Sequence, residues 1–204
     1  MSSAPKPSKT DVITDFRRAQ ILDASRASFA KNGLSGTTVD GIAKSAGVAK
    51  GTVYLYYKSK EDILKQVLDE DVAQLHGLTV PIITGQGAIE DKLRRFLIGV
   101  LTFFDEKRDF FEHCHFEMAP DLRKKAEQKL GVVFTAQVEA WRIVLTEARQ
   151  RKQVAGIDIA TSALMIVALA NGLAKQRLRG WASGPIDAIA GEASATLWKG
   201  LAAR

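Results

Sequence analysis

Lys44, Lys50, Thr52, Tyr54 and Tyr56 lie close together and share spacings that leave one outer face made of cations and hydroxyl donors. Such a face suits an anionic polymer. A short helix fits the DNA major groove, its first residues reaching base edges while surrounding Lys, Thr, Tyr and backbone amides hold phosphates. Gly51 costs about 1 kcal/mol relative to Ala in a helix, so its place near a helix start favours close approach to another surface. Lys60, at the start of the next helix, joins its own charge to exposed amides and the positive end of a helix dipole, which makes it a phosphate clamp. In a second cluster, His113, Cys114 and His115, with Glu112 and Glu117 beside them as polar candidates for a cavity, the run His113-Cys114-His115 could suggest metal. However, three adjacent helical residues point in different directions and cannot all ligate one ion. A surface histidine beside a buried cysteine is the plainer reading. With no glycine-rich phosphate loop, nucleophile elbow or spaced ligand set, neither an enzyme nor a metal or other cofactor is expected.

The elements that must position the donors are helical. Strand-type alternation is scarce, whereas 3.6-residue periodicity recurs from about residue 15 to the end. The first helix is expected over Asp15–Asn32, burying Ile21, Ala24 and Ser28 beside Leu22, Ser25 and Phe29, with Gly33 closing it. Thr37 and Asp40 have capping-box spacing and start a second helix, which Gly47 ends. A third runs from Ala49 to Tyr56, and Ser59-Lys60-Glu61-Asp62 opens a fourth that reaches about Leu75. Val39 to Tyr57 thus has the form of a helix-turn-helix, with Ile42, Ala43, Val48, Val53 and Tyr57 inside. Gly77 to Gly87 reads as a break. Further helices are expected at roughly 88–105, 108–118, 121–152, 159–180 and 185–202, about nine in all.

Charge supports this placement. Residues 1–60 hold ten Lys and Arg against four Asp, while residues 61–204 hold 19 basic and 19 acidic side chains. A basic end on an electroneutral body points to duplex nucleic acid or an anionic membrane. With 204 residues, 46% hydrophobic and 25% charged, the chain is long enough for a sizeable core. The longest uncharged run, 159–174, falls short of the ~20 residues that span a bilayer, so no membrane association is expected. Residues 1–14 lack the apolar core of a secretory signal, and the single cysteine suits a reducing compartment, so the expected location is cytoplasmic.

The run from Arg18 to Leu64 resembles the N-terminal DNA-binding domain of the TetR family of bacterial transcriptional regulators. ILDASRASFAKNG matches the first helix, TTVDGIAKSAGVAKGTVYLYY the helix-turn-helix, and KSKEDIL the start of the fourth helix. The resemblance implies that Thr38 and Lys50 face the duplex, that Thr52 and Tyr54 contact bases or backbone, and that Tyr56 and Lys60 hold phosphates. Ala49 departs from the family's frequent hydroxyl residue. Leu55 replaces a frequent aromatic donor, leaving it to touch a thymine methyl or to pack.

The expected organisation is a disordered leader (1–14), a three-helix DNA-binding domain (15–60) and a helical effector-binding and dimerisation domain (61–204). A single helix-turn-helix reads one short half-site, so a homodimer is expected on a palindromic operator. Its interface falls on the last two long helices, at Ala163, Val167, Ala170 and Ala174 with Ile186, Ile189, Ala193 and Leu197, unless these are ordinary intrachain core. The resemblance favours the interface. Aromatics in the middle helices either fill a solid core or line a mostly apolar pocket for a small-molecule effector: Phe103, Phe104, Phe111, His115, Phe116, Phe134, Trp141 and Met165. The function expected is a ligand-responsive repressor of transcription. The alternative is a helical adaptor that docks through its basic N-terminal end.

Overall fold

A computed structural model describes residues 8–114, 117–156 and 158–202. These form nine helices and, among the described residues, no strand, only an isolated bridge between Val154 and Ala202. The chain divides into two compact units, Met1–Asp69 with Asp109–Arg123, and Glu70–Arg108 with Lys124–Arg204.

The first unit contains α1 (Lys9–Gly36), α2 (Val39–Ser45), α3 (Lys50–Tyr56), the start of α4 (Lys60–Thr84) and most of α6 (Arg108–Cys114). α1 begins at Lys9 rather than Asp15, so part of the expected leader is helical. Ile21, Leu22, Ser25 and Phe29 are buried along one stripe. At Gly33 the backbone leaves helical geometry with φ +68°, and a Cβ there would stand 2.9 Å from the Glu117 carboxylate. The positive φ demands glycine, whereas the Glu117 side chain could swing aside. The turn carries Thr37 inward, where its hydroxyl donates to the Gly33 carbonyl at 2.7 Å, so it cannot cap α2. Thr38 is the cap, accepting from the Gly41 amide at 3.1 Å, and Asp40 is released from the expected capping box.

The second unit holds the rest of α4, α5 (Ile89–Glu106), α7 (Pro120–Gln150) from Lys124 onward, α8 (Ile159–Leu178) and α9 (Ile186–Leu201). α4 does not stop near Leu75. It continues through Gly77 and Pro81 to Thr84, confining the break to a short loop. Leu75, Thr79 and Ile83 explain this: at i, i+4 and i+8 they are buried, while Pro81 faces outward. Burying the two aliphatic side chains is worth about 1.5–3 kcal/mol each, enough to offset the ~3 kcal/mol of an interior proline.

In this unit α5 packs against α8 and α9. Phe96 meets Trp141 edge-on at 5.7 Å among Leu93, Leu97, Leu101, Ile166 and Val167. α8 is 20 residues long and, by length and composition alone, apolar enough to cross a membrane, beyond the shorter uncharged run noted in the sequence. One stripe of it, Ala163, Ile166, Val167, Ala170 and Ala174, is buried in the core of this unit. That is how an interior helix uses an apolar face.

Candidate nucleic-acid interface

The helix-turn-helix is built from its buried side outward. Ile42 and Val53 are fully buried, Ala43, Ala46 and Tyr57 nearly so, and α2 packs against both α1 and α3. Gly47, with φ +65°, turns the chain, and the Val48 amide returns to the Ala43 carbonyl at 3.0 Å. α3 is therefore anchored by one face. Its other side leaves Lys50, Gly51, Tyr54 and Leu55 exposed with Lys44 of α2, and Thr52 and Tyr56 half-buried. Tyr57 is core, as its phase on the helix requires.

Each donor has a local setting. Thr38 is exposed and spends only its acceptor capacity on the α2 cap, keeping its proton available. Lys50 pairs with Asp40 at 2.9 Å, and that hydrogen bond holds its ammonium above its ordinary pKa. The pair is open to solvent, so a phosphate can take the place of Asp40. No heavy atom lies within 4 Å of where a Gly51 Cβ would stand, so internal packing does not explain the glycine. Ala49 caps α3 without a side-chain acceptor. Lys60 is more occupied than the sequence suggested: its ammonium donates to the Leu34 carbonyl at 2.6 Å and the Thr37 carbonyl at 2.9 Å. It ties the end of α1 to the start of α2 and keeps one N–H for a phosphate. Of the two roles expected for Leu55, packing is excluded, because the side chain is 81% exposed.

The expected effector residues are divided between the two units, and two of them lie outside the described residues. Phe103 is buried and meets Phe104 edge-on at 5.3 Å in the second unit, where Phe134 and Trp141 also lie. Phe111 belongs to the first unit, stacked edge-on with Phe110. Met165 is 57% exposed on the outside of α8 and lines no interior. His115 and Phe116 lie outside the described residues. Sequence reasoning missed a buried polar pair, Gln137 donating to the Thr79 hydroxyl at 2.9 Å. A glutamine four residues from both Val133 and Trp141, inside an apolar stripe, was the available signal. The Trp141 indole nitrogen is buried and meets no acceptor among the described residues. His113 is exposed against the Ala30 carbonyl at 2.6 Å, and burial pushes the Cys114 thiol up to about 12.

The expected dimer residues need correction. Ala163, Val167, Ala170 and Ala174 are wholly or almost wholly buried inside one chain and have no surface for a second copy. Ile186, Ile189, Ala193 and Leu197 are half-buried against the same core. The outward side of α8 carries Leu164, Met165, Ala168 and Gly172 instead. α8 is apolar all round, so periodicity alone could not say which face turns inward.

Three helices that bury one side of α3 and leave its donor-rich side in solvent form a helix-turn-helix module. Residues 21–67 match the family model described as bacterial regulatory proteins, tetR family. The fatty acid metabolism regulator protein of Bacillus subtilis is 51% identical over 55 residues, 27% of this chain and 28% of that protein. The HTH-type transcriptional repressor KstR2 of Mycolicibacterium smegmatis is 29% identical over 127 residues, 57% of this chain and 62% of that one. The match therefore spans less than two thirds of either relative. In fold, the chain resembles the transcriptional regulator FadR from Bacillus subtilis in complex with stearoyl-CoA, with a TM-score of 0.66 and 24% identity over 89% of this chain and 98% of that one. The similarity to the tetR family thus lies in residues 21–67, the helix-turn-helix and the helical segments that flank it.

Proposed function

We propose that this protein is a ligand-responsive repressor of transcription, not an enzyme, that binds a palindromic operator as a homodimer in the bacterial cytoplasm. One observation carries the reading: α3 buries Val53 and turns Lys50, Gly51, Tyr54 and Leu55 to solvent. Thr38, Lys50, Thr52, Tyr54 and Leu55 read the groove, while Tyr56 and the remaining N–H of Lys60 hold phosphates. A second copy docks on the outward side of α8, through Leu164, Met165 and Ala168, and on the exposed parts of Ile186, Ile189, Ala193 and Leu197.

The effector is small and mostly apolar, held by Phe103, Phe104, Phe134 and Trp141, with Gln137, Thr79 and the Trp141 indole as polar partners. FadR, the similar structure, is in complex with stearoyl-CoA, which makes a long-chain acyl-CoA the first probe. The effector releases DNA by no more than its differential affinity for the two spacings of the recognition helices.

A gel shift with the DNA upstream of the protein's own gene tests the reading. A two-fold site bound in a salt-dependent manner, and released by effector, upholds it. Salt-insensitive capture of a protein, with no DNA shift, points to the adaptor instead.

A further inference from the structure

Trp141 is fully buried in the core of the second unit, where its ring meets Phe96 edge-on. A buried indole N–H ordinarily finds an acceptor, because folding strips its water and only a partner compensates. This one meets none among the described residues. Gln137 lies one turn earlier on the same face of α7 and is 1% exposed, yet its amide donates across to the Thr79 hydroxyl of α4 at 2.9 Å. That hydroxyl donates in turn to the Leu75 carbonyl at 2.7 Å. These hydrogen bonds run from α7 into α4 and leave the indole donor unmatched.

The buried charges of this unit are engaged elsewhere. Among the described residues they are Asp71, Lys92 and Arg177. Asp71 pairs with Lys107 at 3.2 Å, Arg177 holds Asp105, and Lys92 lines a cleft with Glu147 and Arg151. Lys107 stands beside the expected effector residues, 5.0 Å from the centre of the Phe103 ring, but its charge is matched by the buried Asp71 carboxylate. An ionised carboxylate set against Trp141 would therefore lose its water with no buried cation left to offset the loss. A neutral carbonyl sheds its water at far smaller cost and accepts one N–H in return.

We propose that Trp141 is the donor that sets effector specificity, and that it selects an apolar molecule bearing a neutral carbonyl, a ketone, ester or thioester, over a carboxylate on the same chain. The proposal rests on the reading of the second unit as an effector-binding body and adds the chemistry of the group that is recognised. Phe103, Phe104 and Phe134 contribute apolar surface, so they cannot make this distinction; the unmatched N–H can.

The full chain, isotope-labelled at its tryptophan nitrogens, is titrated with 2-decanone and with decanoate, and affinities are measured by calorimetry. Of the three tryptophans, the Trp141 signal is identified by its loss in Trp141→Phe, which keeps a ring against Phe96, or by backbone connectivity should that variant not fold. Expected are saturable binding of 2-decanone, a downfield move of the Trp141 indole proton, binding of decanoate weaker by about tenfold or more, and a loss of about tenfold for the ketone in Trp141→Phe. Decanoyl-CoA in competition names the source of the carbonyl: displacement of the ketone assigns it to a thioester, and failure to displace assigns it to a small neutral molecule, with Trp141 the donor in both cases. Equal affinity for ketone and carboxylate overturns the proposal and leaves the effector reading standing. So does a Trp141 signal that stays still while 2-decanone saturates the chain, which marks a donor held by trapped water. If none of the probes binds, the proposal falls, and the effector reading falls with it only when a long-chain acyl-CoA also fails to release DNA.

Discussion

Leu55 separates surface from core chemistry at a single position. It is 81% exposed on a helix whose neighbour Val53 is fully buried, so truncation removes almost no packing. Leu55→Ala should change stability by no more than about 0.5 kcal/mol in urea unfolding, while lowering affinity for the operator and altering preference at one thymine-bearing position. Equal losses on specific and random DNA would place the side chain outside the base contacts. Lys60 behaves differently because its ammonium is already bound to two carbonyls. Lys60→Ala should cost about 1–3 kcal/mol of stability and also reduce the salt slope of DNA binding by roughly one contact. A stable variant with a flattened slope would show a clamp without a structural role. Residue types made the donor face legible. The second duty of Lys60 was not, because Leu34 and Thr37 approach it only after the chain turns at Gly33.

Elements stop where burial stops compensating for local cost, and α4 shows the rule. Gly77 and Pro81 read as a break, yet the buried positions Leu75, Thr79 and Ile83 carry the helix past both. At the other end of the second unit, the ends of α5 and α8 and the loop after α8 are held by one guanidinium. Arg177 donates to Asp105 at 2.5 and 3.2 Å and to the Ala182 and Gly184 carbonyls, while Arg108 reaches the same carboxylate at 2.9 Å. The Arg177 hydrogen bonds hold the Asp105 carboxyl below its ordinary range. A lowered folded-state pKa gives stability that is present above the unfolded value near 3.8 and is lost as pH falls from there through the lower folded-state value. Asp105→Asn should therefore cost about 2–3 kcal/mol at neutral pH, below the full buried-pair value because 23% of the Asp105 side chain stays exposed. In the variant, the decline of stability below pH 4 should be shallower. Parallel acid limbs in chemical denaturation of the two proteins would sink this account.

At the scale of the whole molecule the question is what covers the outside of α8. Leu164 and Met165 are 48% and 57% exposed, while the small residues of the opposite stripe are already in the core. Removing α8 and α9 would strip that core rather than cleanly separate two copies, so point charges are the better probe. Leu164→Glu should leave helix content unchanged and convert a dimer to a monomer in sedimentation, with operator affinity falling to that of a single half-site. A dimer that survives this change, with operator binding intact, would move the contact off α8. The expected spacing of recognition helices, ~34–36 Å, is the geometric counterpart on the DNA.

Helix content, the helix-turn-helix and its polar face followed from local information: periodicity, capping residues, a glycine turn and the one-sided charge of the first sixty residues. These depend on neighbours within a turn or two, which a linear string records. Which side of α8 turns inward, how far α4 runs past its proline, and where the Lys60 ammonium ends up depended on contacts between distant segments. An all-round apolar helix has no phase until another helix lies against it, and a lysine shows whether its charge is satisfied only when the chain has folded around it.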